Sequence, residues 1–121
     1  PTQAVAMLRR LHAISGDRAH LFPGRDDRNR PMSVHSIRQA LKVLGWSGTY
    51  SPHGTRTTGS TRLNEMGYRP DAIEAQLAHA EPNSVRRTYN HATYLEERRG
   101  MMQAWADKLE IWKREAANDK G

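Results

Sequence analysis

Four polar residues carry side chains suited to phosphate chemistry: His53, Arg56, His79 and Tyr89. His53 and Arg56 stand three apart where a helix is expected to begin, a spacing that projects two side chains to one side. A helix N-terminus adds free N–H groups and a field that favours an anion, so this is a sensible place to hold a phosphate. His79 falls where the next helix is expected to end, and Tyr89 lies ten residues further on. Each residue also has an ordinary role. A histidine at a helix end commonly makes a surface hydrogen bond, an arginine at a helix start is commonly solvated, and a tyrosine in a short helix is commonly packed. Residue types and spacing alone therefore reach only a helical domain with a phosphate-binding helix start.

The elements that must position these residues read as helices joined by loops. Val5, Leu8, Leu11 and Ile14 recur at helical spacing and predict a first helix from about Thr2 to Ile14, ended by Ser15-Gly16-Asp17. Two prolines, a glycine and several charges make Leu21 to Pro31 a loop. Ser33 has the chemistry of an N-cap, and Ile37, Leu41 and Leu44 give the apolar face of a helix closed by Gly45. After a turn at Gly48 to Pro52, a helix is expected from about Gly54 to Met66, with Leu63 and Met66 inward and Gly67 just past its end. Pro70 suits the first position of the next helix, which carries Ile73 and Leu77 towards His79. A short helix is expected over Ser84 to Tyr89. Thr93 and Glu96 have capping-box spacing before a last helix bearing Met102, Trp105, Leu109 and Trp112 on one face.

The composition narrows the class. The 121 residues allow one modest domain and one core. No apolar run approaches the roughly 18 residues of a membrane helix, and Pro1-Thr2-Gln3-Ala4 does not read as a signal peptide. The absence of cysteine excludes disulfides and thiolate metal sites within these residues. Lys and Arg number 19 against 13 Asp and Glu, and the resulting charge of +6 favours contact with a phosphate backbone.

The segment from Ser51 to Leu109 resembles the C-terminal signature of the phage integrases, members of the tyrosine recombinase family. The family pattern is His-x-x-Arg opening a helix, then Leu-x-His after a second helix, then a tyrosine nine or ten residues later. Here these are His53-Gly54-Thr55-Arg56, Leu77-Ala78-His79 and Tyr89. Leu21-Phe22-Pro23 and Pro31-Met32-Ser33 resemble the loop that precedes them, so the resemblance covers nearly all of the chain. It implies a mainly α fold, the helical C-terminal subdomain of the tyrosine recombinase catalytic fold. Residues 1–117 are then part of a catalytic domain, with 118–121 a disordered tail.

The same resemblance implies a role for each matching residue. Tyr89 is the nucleophile that attacks the scissile phosphate, leaving a 3′-phosphotyrosyl link and a 5′-hydroxyl. Free tyrosine has a pKa of about 10, so a cationic neighbourhood is needed to ease its deprotonation. Arg56 and His79 bind the phosphate, the arginine with a planar fork that suits two non-bridging oxygens. His53 supports the site and takes up the tyrosine proton. No metal and no cofactor is implied. The family also uses an arginine and a lysine from upstream segments. Neither Arg9 nor Lys42 stands in the matching context, so four of six site residues are present and the chain reads as an inactive fragment on its own. The implied partners are double-stranded DNA and, for the whole protein, further copies assembled on DNA, with no membrane. The implied setting is the bacterial cytoplasm and its nucleoid.

Other readings are weaker. Tyr94 is a rival nucleophile, but it lies too far from His79 for the family pattern. His91 reads as a turn residue, and His12, His20 and His35 as non-catalytic. The methionine and tryptophan stripe reads first as a core face and second as a contact with a neighbouring copy. A non-catalytic helical DNA-binding module would fit the charge but would not need the four residues to converge. No histidine pair has the spacing of a helical zinc motif. The residues around Leu77-Ala78-His79 and Tyr94 to Arg98 favour integrases over the type IB topoisomerases.

Overall fold

Proline and glycine punctuate the chain into five α-helices among the residues that the computed structural model describes, 1–16, 18–78 and 94–119. They are α1 (Thr2–Ser15), α2 (Ser36–Val43), α3 (Pro52–Glu65), α4 (Pro70–Leu77) and α5 (Leu95–Asn118). Among the described residues the only sheet-like pairing is an isolated antiparallel bridge between Pro23 and Pro31. The mainly α expectation holds. His79, Tyr89, His91, the helix expected over Ser84 to Tyr89, and Thr93 with its capping box lie outside the described residues, as do Lys120 and Gly121 of the expected tail. The chain divides into two compact units, Thr2–Thr55 and Arg56–Gly121.

In the unit Thr2–Thr55, α1 starts at Thr2 as its periodicity predicts and runs one residue further than expected, through Ser15. The loop after it is closed by the Pro23–Pro31 bridge, with the Gly24 N–H on the Arg30 carbonyl at 2.7 Å and the Met32 N–H on the Phe22 carbonyl at 2.8 Å. The start of α2 differs from expectation. Ser33 does not cap it, because its Oγ accepts the His35 N–H at 3.3 Å in a local turn, and the helix begins three residues later with His35 at the N-cap. Gly45 closes α2 as expected. Its φ of +80° favours a residue without Cβ, and it lets the Trp46 N–H reach back to the Leu41 carbonyl at 2.9 Å. The apolar faces of α1 and α2 are not buried. Val5, Leu8, Ile14, Ile37 and Leu44 are all exposed, and none of the described residues of this unit is buried.

The core lies in the unit Arg56–Gly121. Leu63 of α3, Ile73 of α4 and Met101 of α5 are buried against one another, with Tyr68, Leu77, Met102 and Trp105 packed around them. Ile73 and Met101 are both 0% exposed, and each contributes about 1.5–3 kcal/mol by leaving water. Local geometry aims these side chains. Gly67 ends α3 with φ +81°, which sends the Tyr68 N–H back to the Leu63 carbonyl at 3.2 Å and brings the Tyr68 ring onto the core. Pro70 then opens α4 at its first position. Two expectations are corrected here. Met66 is 39% exposed, because α3 stops at Glu65 and the turn carries Met66 outward. On α5 the inward stripe is centred on Met101 and Trp105, and Leu109 is 44% exposed. Helix α5 thus packs on its own chain. Trp112 further along it stacks edge-on with Trp105 at 5.7 Å, and the Arg62 guanidinium stands 5.6 Å from its ring.

Candidate functional site

The sequence at the start of α3 fixes where His53 and Arg56 stand. Ser51 accepts the Gly54 N–H on its Oγ at 2.9 Å, which satisfies one of the free donors of the first turn. Pro52 occupies the first helical position, where no N–H is needed. The helix therefore begins two residues earlier than expected, and His53 and Arg56 sit at its second and fifth positions. Both side chains are exposed. Tyr50 and Thr55 brace the same turn through a hydroxyl–hydroxyl bond of 2.5 Å.

Arg56 reaches across the core-bearing unit. Its Nη2 donates to the backbone carbonyl of Leu77, 21 residues away at the end of α4. A helix C-terminus carries partial negative charge and unpaired carbonyls, so a guanidinium there satisfies an acceptor and gains from the field. The bond uses part of a fork with five N–H groups, and Arg56 has no other hydrogen bond among the described residues. Leu77 opens the Leu77-Ala78-His79 motif. The contact therefore joins the two motif elements that precede the tyrosine.

Ala78 is the residue on which α4 ends. It has φ +51° and ψ +38°, the left-handed conformation, and is the only described residue other than glycine with a positive φ. That conformation stops the helix and turns the chain immediately before His79. The Cβ makes it cost about 1–2 kcal/mol.

Helices α4 and α5, which flank residues 79–93 in the sequence, are tied to each other. Arg98 Nε donates to Gln76 Oε1 at 3.0 Å, near the end of α4. At its start, the Arg69 guanidinium lies 5.0 Å from the Tyr94 ring, with Arg69 Nη2 3.4 Å from the Tyr94 hydroxyl and that hydroxyl 3.5 Å from Asp71 Oδ2. The contacts pair 71 with 94 and 76 with 98, so α4 and α5 run in the same sense. Tyr94, the rival nucleophile, is thus half-buried at the N-cap of α5 and engaged with Arg69 and Asp71. Sequence reasoning missed the Leu77 carbonyl as a partner of Arg56, since no local pattern marks a contact across 21 residues. It also missed Ser51 as the cap, although a serine one residue before a proline is a readable start signal. Among the other histidines, His20 Nε2 meets the Asn29 carbonyl at 3.1 Å and braces the loop.

The family model "Phage integrase family" matches residues 2–96. Prophage integrase IntA of Escherichia coli is 49% identical over 104 residues, covering 86% of this chain and 25% of that protein. Prophage integrase IntS of Escherichia coli is 44% identical over 109 residues, covering 89% and 28%. The integrase of Shigella phage Sf6 is 43% identical over 109 residues, again covering 89% and 28%. The chain therefore spans about a quarter of the length of the curated relatives it matches. No solved structure matches it.

Proposed function

The chain belongs to the phage integrase family, and on that footing we propose that it is the C-terminal part of the catalytic domain of a tyrosine recombinase that integrates or excises a mobile element. The observation that carries this reading is the bond from Arg56 to the Leu77 carbonyl. It ties the helix of the His-x-x-Arg motif to the residue two before His79.

In the proposed reaction the Tyr89 oxygen attacks the scissile phosphorus of duplex DNA. The P–O5′ bond breaks, a 3′-phosphotyrosine forms, and the 5′-oxygen leaves as a hydroxyl, its proton supplied by the lysine that the family brings from an upstream segment. The tyrosine proton passes to a base, the role given to His53. Arg56 and His79 take the non-bridging oxygens and stabilise the charge that builds on them. Rejoining is the reverse step, with a 5′-hydroxyl from the exchanged strand attacking the phosphotyrosine. The phosphate bond energy is kept in the link, so strand exchange is energetically near neutral. The whole protein assembles in several copies on DNA at the bacterial nucleoid, and the 121-residue chain alone, with four of the six site residues, does not cleave.

The test is to trap the full-length parent on a nicked duplex that loses its 5′-hydroxyl fragment by diffusion, then to digest the adduct and map the modified peptide. The expected peptide carries the nucleotide on Tyr89. A nucleotide on Tyr94, or no adduct from an enzyme that binds the duplex, would overturn the assignment. The second outcome would favour a non-catalytic DNA-binding module.

A further inference from the structure

Within the unit Arg56–Gly121, the end of α3 and the second half of α5 line an open cleft of about 360 Å³. Arg62, Glu65 and Met66 contribute from the α3 side, and Lys108 and Trp112 from α5. Three contacts hold the half-buried Trp112 ring. Trp105 meets it edge-on at 5.7 Å and connects it to the core. The Arg62 guanidinium stands 5.6 Å from its centre and the Lys108 ammonium 5.5 Å. Cations gather there because the face of an aromatic ring is electron-rich.

The two cations differ. Arg62 Nη1 is paired with Glu65 Oε2 at 2.8 Å, and the rest of its guanidinium has no hydrogen bond among the described residues. Lys108 has no ion pair among the described residues. The cleft therefore carries one cation in excess, beside an indole ring and the exposed Met66 side chain. A phosphate backbone fits this poorly, because it calls for a row of cations and the wall holds a carboxylate. Arg62 also lies about 9 Å along α3 from Arg56 and roughly 120° around it, so the two guanidinium groups leave the helix on different faces. A second copy fits poorly as well. Glu65, Asp71, Glu96, Glu97 and Glu110 of this unit each pair with a cation of their own chain, and a chain of net charge +6 repels itself. What fits is a single carboxylate beside a large apolar side chain. A tryptophan flanked by cations and opening on a methionine has the make-up of a binding hot spot.

We propose that this cleft docks an acidic peptide segment of a partner protein. Its carboxylate takes Lys108 and the free edge of Arg62, and a neighbouring large apolar side chain packs on Met66 and Trp112. The inference goes beyond the recombinase reading and does not rest on it, and its test uses no DNA.

The experiment selects yeast-displayed random dodecapeptides against the 121-residue chain. The enriched peptides are then titrated by fluorescence anisotropy, and the site is located by the indole N–H resonances of Trp46, Trp105 and Trp112. Enriched peptides are expected to carry Asp or Glu within one helical turn of Trp, Phe or Leu, and to shift the Trp112 resonance while leaving that of Trp46 in place. Lys108→Glu is expected to weaken binding at least about tenfold. Arg114→Glu makes the same change of charge at an exposed position of α5 outside the cleft, and is expected to weaken it less than about twofold. Met66→Ala, also at an exposed position, is expected to weaken it about threefold through lost apolar contact. The indole and amide spectra of each variant show that it is folded. Equal losses in the two charge variants would show a diffuse charge effect and overturn the proposal. So would enrichment of peptides without acidic residues, or no enrichment at all. Dimerisation of the chain that Lys108→Glu abolishes would give the cleft to a second copy and overturn it equally.

Discussion

Arg56 donates from Nη2 to the carbonyl of Leu77 across 21 residues, so the arginine of one motif is anchored on the backbone of the next. The anchor gives the guanidinium a fixed edge and leaves the rest of its fork exposed, where the proposed function puts the phosphate. On that proposal the positioned charge needs no reorganisation when negative charge builds in a transition state.

Lysine at position 56 tests whether the fork matters beyond its charge. A lysine ammonium is a point charge, and its shorter donor set does not reproduce a planar group shared between a carbonyl and a phosphate. Arg56→Lys in the full-length parent is expected to lower single-turnover cleavage by about 10²–10³, the loss typical of one oxyanion donor. Cleavage within a few-fold of the unaltered enzyme would show that charge alone suffices.

Ala78 adopts a left-handed conformation that glycine takes without penalty. Relief of the Cβ clash outweighs the greater unfolded-state freedom of glycine, so Ala78→Gly is expected to raise stability by about 0.5–1 kcal/mol. Ala78→Val is expected to lower it by more than about 1 kcal/mol. Urea denaturation reads both. A lower midpoint for the glycine variant would contradict the backbone geometry at this turn.

The corrected stripe on α5 has a direct consequence. Met101→Ala is expected to cost about 2–5 kcal/mol, as is Ile73→Ala, because each empties a fully buried site. Leu109→Ala is expected to cost less than about 1 kcal/mol, since Leu109 is 44% exposed. Thermal or urea unfolding would reveal the reverse order if the helix were turned as its sequence first suggests.

Tyr94 and Tyr89 should separate cleanly. The Tyr94 hydroxyl makes long contacts of 3.4 and 3.5 Å with Arg69 and Asp71, while its ring meets the Arg69 guanidinium. Tyr94→Phe keeps the ring contact, so stability is expected to fall by no more than about 1 kcal/mol and covalent attachment of DNA to persist. Loss of attachment with the fold intact would return Tyr94 to candidacy.

Local signals were the legible part of the fold. Gly45, Gly67 and Pro70 act within three or four residues of themselves, and each ends or opens the helix it marks. Ser33 misled because a hydroxyl close to a helix start serves a turn as readily as a cap, and here it holds the His35 N–H. Met101 was missed because 101, 105 and 112 form a helical stripe almost as well as 102, 105, 109 and 112. Periodicity locates a face only to within about one residue's turn. The apolar pattern of α1 predicted a helix correctly but not its environment, since what a face meets depends on contacts distant in sequence. That His53 and Arg56 share one helix start was readable because their spacing is local. The Leu77 carbonyl was not, because every residue has one and only the fold selects it.

The proposed covalent link between Tyr89 and DNA is tested most directly by substituting Tyr89 in the full-length parent. With a cognate nicked duplex, Tyr89→Phe is expected to abolish the denaturation-resistant protein–DNA complex while leaving duplex affinity within about twofold, since only a hydroxyl is lost. A covalent complex that persists in Tyr89→Phe would place the nucleophile elsewhere and contradict the account.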